Sequence, residues 1–191
     1  MFSDRQQQII DESIKLIDTK GIQGFTIKNL SKKVGISEPG IYRHFESKFA
    51  ILSAILDSFK RDIFENQALS LNNANDPLVK LKSFGDKIFE IFVHNPALIT
   101  VIFSEEIYMN EKQLSYRIKE IQTFNENLIE SLLIGLRRDK KLPDHVNIGA
   151  FILMFFGSIR LLAKKWKMSD YSFDIKTRGD ELLSSLQDII K

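Results

Sequence analysis

The chain has 191 residues, of which 43% are hydrophobic and 27% charged, and its formal net charge is only +2. That balance suits an ordinary globular protein with one sizeable core or two small domains, and it excludes a chain that binds polyanions over its whole surface. Cysteine is absent, which excludes disulfides, thiolate metal sites and cysteine nucleophiles and suits a reducing cytoplasm. The opening MFSDRQQQII is polar, so no secretory signal is expected. The longest apolar run, residues 148–159, is too short for a membrane span and is bounded by Arg160. A cytoplasmic protein with no membrane partner is the expectation.

Every element reads as helix. Ser3 and Gln6 have the spacing of a capping box, and Gly21 ends the first helix. Thr26 stands just before Ile27, Leu30 and Val34, which recur at helical spacing, so it can cap a short second helix. Gly35 permits a left-handed turn. Ser37 caps a third helix, with Pro39 in its first turn where a missing N–H costs nothing. Ile41 and Phe45 form its buried stripe, leaving Glu38, Gly40, Tyr42, Arg43 and His44 to point outward. A capped helix, a glycine turn and a second helix with a polar outer face is the arrangement that lets one helix enter a DNA major groove.

A fourth helix begins at Ser47 and carries Ile51, Leu52, Ile55, Phe59, Ile63 and Phe64; its length suggests that it joins two domains. Asn72, Asn73 and Asn75 mark a break. Further helices are predicted over 77–94, 96–108, 111–138, 143–167 and roughly 173–190, with Pro77, Pro96 and Pro143 as starts and Gly179 weakening the last. About nine helices result. No segment alternates as a strand, and turn pairs such as Asn-Gly or Asp-Gly are missing. The domains are expected over 1–47 and 48–191.

Charge is distributed unevenly. Between residues 26 and 48, Lys28, Lys32, Lys33, Arg43 and Lys48 stand against Glu38 and Glu46, a net +3 that leaves −1 for the rest of the chain. Positive charge is therefore concentrated on the helix-turn-helix pattern, as a local phosphate footprint requires.

These residues resemble the DNA-binding domain of the tetracycline-repressor (TetR) family of bacterial regulators. The resemblance runs over about residues 9–52. It rests on Gly21, Gly24-Phe25-Thr26, Leu30-Ser31, Val34-Gly35-Ile36-Ser37, Ile41-Tyr42-Arg43-His44-Phe45 and Ser47-Lys48. Gly40 stands where many members carry Ala or Thr, and Asn29 where many carry an acid. The resemblance implies an all-α fold with an N-terminal three-helix DNA-binding domain and a C-terminal helical domain for ligand binding and dimerisation. It implies a repressor that binds a palindromic site in double-stranded DNA as a homodimer and is released by a small hydrophobic or amphipathic effector. On that basis Thr26, Tyr42, His44 and Lys48 are backbone clamps, and Lys28 adds a phosphate contact. Ser37, Glu38, Pro39, Gly40 and Arg43 lie nearer the bases, where Arg can pair with guanine and Glu can accept from cytosine.

The same resemblance puts a ligand pocket in the C-terminal part, where Phe84, Phe89, Phe92, Phe103, Phe124, Met154 and Phe155 are the candidates. An aromatic-rich bundle can enclose an apolar molecule; it can equally be a solid core. Glu105, Glu106 and His94 are candidate polar handles. The dimer is expected through the last two helices, at Phe151, Phe155, Ile159, Leu182, Leu186 and Ile190, with Gly157 and Ser158 allowing close approach.

Enzyme chemistry has no support. The chain lacks a phosphate loop, a nucleotide-binding glycine cluster and a nucleophile elbow. His44, His94 and His145 show no metal spacing, so neither cofactor nor metal is expected. The alternatives kept open are a DNA-binding protein regulated by a protein partner or by nothing, and a helical interaction protein with a degenerate DNA motif.

Overall fold

Ser3 starts the first helix by the exchange that its spacing with Gln6 implies. Its hydroxyl accepts from the Gln6 N–H, and the Gln6 side chain accepts from the Ser3 N–H. Two of the orphan donors of a helix start are thereby satisfied. In the computed structural model, residues 2–73, 76–104 and 112–190 are described, with 64–73 as backbone alone, and among them are nine helices and no strand. These are α1 Asp4–Gly24, α2 Ile27–Val34, α3 Glu38–Tyr42, α4 Lys48–Asn73, α5 Pro77–His94, α6 Leu98–Ile102, α7 Lys112–Arg138, α8 Ile148–Met168 and α9 Ile175–Ile189.

The expected all-α architecture is present, but several ends move, each for a local reason. Gly21 does break the course of α1, at φ 66°, although helical turns resume as far as Gly24. Pro143 does not start α8. Asn147, four residues on, does so by accepting from the Ala150 N–H at 2.9 Å. Asp174 caps α9 in the same way through the Lys176 N–H. Of the helix expected over 96–108, the described residues hold the short α6, which has no side-chain cap at Ala97 and ends at Ile102, while 105–108 lie outside the described residues. Asn75, Glu105, Glu106 and the side chain of Phe64 lie outside the described residues.

The chain divides into two packing units. The first comprises Met1–Arg61 with Ala97–Glu120. Its core gathers Ile9, Ile10, Ile14 and Ile17 of α1 with Phe25, Leu30, Val34, Ile41 and Phe45 around the helix-turn-helix, and with Ile51, Leu52 and Ile55 of α4. The Thr100 hydroxyl donates to Asp18 at 2.5 Å, fastening α6 to α1, and Arg117 pairs with Asp57 at 2.7 Å. The division therefore differs from a cut between 47 and 48: the start of α4, α6 and the start of α7 pack with the N-terminal helices.

The second unit comprises Asp62–Pro96 with Ile121–Lys191. Here α5 and α9 approach so closely that each presents a glycine to the other. A Cβ on Gly85 would collide with Leu183, and one on Gly179 would lie 2.5 Å from the Phe89 ring. Gln187 donates to the Leu78 carbonyl at 2.6 Å across the same contact. The core contains Phe84, Phe89, Phe92, Phe151, Phe155, Ile159, Leu183 and Leu186. Phe155 and Phe156 meet edge to face at 5.3 Å, and Phe84 meets Phe156 at 5.9 Å and 85°. Such pairs add about 0.5–1.5 kcal/mol each beyond the burial of their area.

Candidate nucleic-acid interface

The helix-turn-helix is built by short-range hydrogen bonds. The Thr26 hydroxyl accepts from the Asn29 N–H at 3.1 Å and caps α2, while the Asn29 side chain donates to the Gly24 carbonyl at 2.9 Å. Asn29 thus ties the start of α2 to the preceding turn. Gly35 sits in the left-handed region at φ 77°, ψ 31°, and its N–H and that of Ile36 both donate to the Ser31 carbonyl. That geometry closes α2 and turns the chain toward α3, and it is cheap only for glycine. The Ser37 hydroxyl caps α3 through the Gly40 N–H at 3.2 Å. The Ser47 hydroxyl caps α4 through the Ala50 N–H at 3.1 Å, so α4 starts where the sequence implies.

Thr26, Lys28, Ser37, Glu38, Pro39, Tyr42 and Arg43 are exposed, Tyr42 to 50%, despite its large ring. Thr26 and Ser37 use an oxygen lone pair on their helix caps, which leaves each hydroxyl proton able to donate to a phosphate oxygen. His44 and Lys48 are half-buried. The Lys48 ammonium lies over the Phe25 ring, 5.1 Å from its centre, which fixes the position of a charge at the N-terminus of α4. Gly40 corrects the outward assignment: it is buried, and a Cβ there would meet Ser37 and Ile36 at 3.3–3.4 Å. Its place is against the turn residues Ile36 and Ser37 rather than on the outer face. Gln6, which the sequence marks only as a helix cap, also donates from Nε2 to the His44 carbonyl at 3.3 Å. No local signal announces a contact 38 positions away.

Of the pocket candidates, Phe84 and Phe155 meet at 6.1 Å between ring centres. Phe84, Phe89, Phe92 and Phe155 are buried in the second unit, Phe124 and Met154 are exposed, and Phe103 is half-buried in the first unit. His94 is exposed, and its Nδ1 hydrogen-bonds the Glu90 carbonyl at 2.8 Å in the last turn of α5. A groove of about 440 Å³ does run between α5 and α9, lined by Lys82, Asp86, Lys87, Glu90, Lys176 and Asp180. Its charges are matched. Burial works against the Lys82 ammonium, but hydrogen bonds to Asp180 and Asp86 more than offset it and hold its pKa above the ordinary value. A hydrogen bond from Lys87 at 2.6 Å holds the Glu90 carboxyl below the usual range. The groove's charges are thus self-neutralised, with Ser83 and Phe89 completing its lining.

The dimer candidates need correction as well. Phe151, Phe155, Ile159, Leu186 and Ile190 are buried within a single subunit, and Leu182 is half-buried. The outer face of α8 instead carries Leu153, exposed to 75%, Met154, Gly157, Leu161, exposed to 55%, and Met168. On α9 the exposed apolar residue is Ile189, one turn beyond Ser185. A Cβ on Gly157 would meet nothing within 4 Å, so a second backbone can approach there.

Among the described residues there is no helix long and apolar enough to cross a membrane.

Comparison with known proteins agrees with this geometry. Residues 9–55 match the family model of bacterial regulatory proteins of the tetR family, and residues 76–191 match that of the MAATS-type transcriptional repressor C-terminal region. The nucleoid occlusion factor SlmA of Mannheimia succiniciproducens is 27% identical over 158 residues, covering 80% of this chain and 72% of that one. The fatty acid metabolism regulator protein of Bacillus subtilis is 22% identical over 184 residues, covering 95% and 93%. The crystal structure of the transcriptional regulator FadR from Bacillus subtilis in complex with stearoyl-CoA superposes with a TM-score of 0.82 at 20% identity, over 94% of this chain and 96% of that one. With both of its parts matched, and the helix-turn-helix formed as described, the chain belongs to the tetR family and is a DNA-binding transcription regulator.

Proposed function

We propose that the protein represses transcription by reading a palindromic operator as a homodimer, and that a small apolar or amphipathic effector releases it. The observation that carries the DNA reading is the capped α2–Gly35–α3 unit, which offers Tyr42 and Arg43 to solvent on a short helix. Thr26, Tyr42, His44 and Lys48, with Lys28 beside them, serve as phosphate clamps. Ser37, Glu38, Pro39 and Arg43 are the base-proximal group. Lys48 is the best supported of the clamps, because the Phe25 ring already holds its ammonium in place.

One recognition helix reads only a few base pairs, so a two-fold dimer is needed for a palindromic site. The seam we assign is the outer face of α8 at Leu153, Gly157 and Leu161, with Leu182, Ser185 and Ile189 of α9. Leu153, Leu161 and Ile189 are the apolar side chains there that its own bundle leaves exposed. The effector reading draws support from the fold likeness to a regulator solved with stearoyl-CoA. An alternative in which no small molecule acts draws support from the likeness to a nucleoid occlusion factor.

The test is selection of bound duplexes from a randomised pool, followed by a salt titration. With about three or four phosphate contacts per subunit, the log–log slope is expected on the order of −5 to −7. Stearoyl-CoA is then titrated into the complex. Enrichment of a palindrome and release by stearoyl-CoA support the whole reading. A palindrome bound equally well with and without it removes that effector class. Failure to enrich any duplex removes the operator reading.

A further inference from the structure

We propose that Gln6 is a positioning residue for DNA reading: its amide ties the His44 carbonyl, at the end of the recognition element, to the start of α1. The inference rests on the DNA reading above. α3 has only five residues, Glu38–Tyr42, too few to hold a helical course or a direction by themselves. Its end is a tight turn, with the Arg43 N–H donating to Pro39 at 3.1 Å and the His44 N–H donating to Ile41 at 2.9 Å. The His44 carbonyl lies beyond that turn and accepts from Gln6 Nε2 at 3.3 Å.

The other half of the same amide is engaged elsewhere. Gln6 Oε1 accepts from the Ser3 N–H at 3.0 Å in the capping box of α1. One neutral side chain therefore uses its acceptor on the first helix and its donor on the recognition element, and an amide of this length supplies both. α1 is anchored in turn by Ile9, Ile10, Ile14 and Ile17 in the core. A helix anchored by its inner face thus sets where the backbone after Tyr42 and Arg43 lies.

The two functions separate by substitution. Gln6→Glu keeps the acceptor and loses the donor; Gln6→Lys keeps a donor and loses the acceptor; Gln6→Met loses both without adding charge. Each is measured against a duplex selected by the wild-type protein and against random-sequence duplex. The ratio of the two affinities cancels a uniform change in phosphate attraction. Thermal unfolding is followed alongside. Gln6→Glu and Gln6→Met are expected to lower the ratio roughly fivefold or more, as the loss of one net hydrogen bond per subunit would. Gln6→Lys is expected to stay within about twofold of wild type. Lys48→Ala, a phosphate clamp, should weaken both duplexes and leave the ratio unchanged, so failure of the clamp assignment is distinguishable. The proposal is overturned if Gln6→Glu, folded as the wild type is, keeps its discrimination, or if Gln6→Lys loses as much as Gln6→Glu.

Discussion

Gly179→Ala puts the α5–α9 contact to a test in which sequence and structure give opposite signs. Gly179 lies inside α9. On helix propensity alone, alanine there should stabilise by about 1 kcal/mol. In the structure, the added Cβ would stand 2.5, 2.6 and 3.0 Å from three atoms of the Phe89 ring. That ring is buried, so relief requires the ring or the two helices to shift. Overpacking of this kind costs about 1–3 kcal/mol. The net expectation is a loss of about 0–2 kcal/mol, or a fall in Tm of up to roughly 8 °C for a chain of this size. Gly135→Ala on α7 is the control, because its Cβ would meet nothing within 4 Å; it should raise Tm by a few degrees. Both are measured by thermal unfolding at one protein concentration, since association adds to apparent stability. Phe89→Leu combined with Gly179→Ala should cost less than the two changes summed, because they relieve one another. If Gly179→Ala raised Tm as Gly135→Ala does, the close approach of α5 and α9 would be wrong.

Three further outcomes are expected. Leu161→Glu should yield folded monomers that lose operator binding, whereas Phe155→Glu should unfold the subunit; sedimentation with circular dichroism separates them, and a folded Leu161→Glu dimer would refute the seam. Lys48→Ala should weaken all duplexes and make the salt slope shallower by about one unit per subunit, while Arg43→Ala should change which duplex is preferred; an unchanged slope for Lys48→Ala would remove its phosphate role. Asn125→Leu should stabilise the protein by about 1–2 kcal/mol, because Asn125 Oδ1 is buried without a hydrogen-bond partner in the stripe of Ile121, Ile129 and Leu133. A lower Tm for this variant would show that the amide is satisfied in solution.

What the sequence made legible was local. Ser3 with Gln6, Thr26 with Asn29, Gly35, and Ser37 with Gly40 act over three or four residues, so spacing alone reveals them. What it left ambiguous was direction. α8 carries Phe151, Phe155 and Ile159 on one side and Leu153, Leu161 and Met168 on another. Periodicity identifies both as apolar but cannot say which meets the subunit's own bundle, because in an oligomer each side can pack against protein. Gly40 has no side chain whose polarity could mark its side. Pro143 permits a helix start without requiring one, and Asn147, which satisfies a free N–H, decides it. Gly179 reads as a weak point in a helix until Phe89, ninety positions away, occupies the missing side chain's place.

The length of α3 has a consequence for how this head reads DNA. Five helical residues hold few internal hydrogen bonds, and helix formation repays its nucleation only over longer stretches. The direction of α3 must therefore come from its surroundings. The left-handed Gly35 sets where it begins, the Ser37 cap fixes its first turn, Ile41 and Phe45 anchor its inner face, and Gln6 holds the carbonyl beyond its end. Each of the polar ties is worth about 1 kcal/mol, comparable to the discrimination that a single base contact supplies. Gln6, which holds the end of α3 from α1, is therefore expected to bear on sequence preference as much as a base contact does. A map of specificity restricted to Glu38 and Arg43 would miss the ties that aim them.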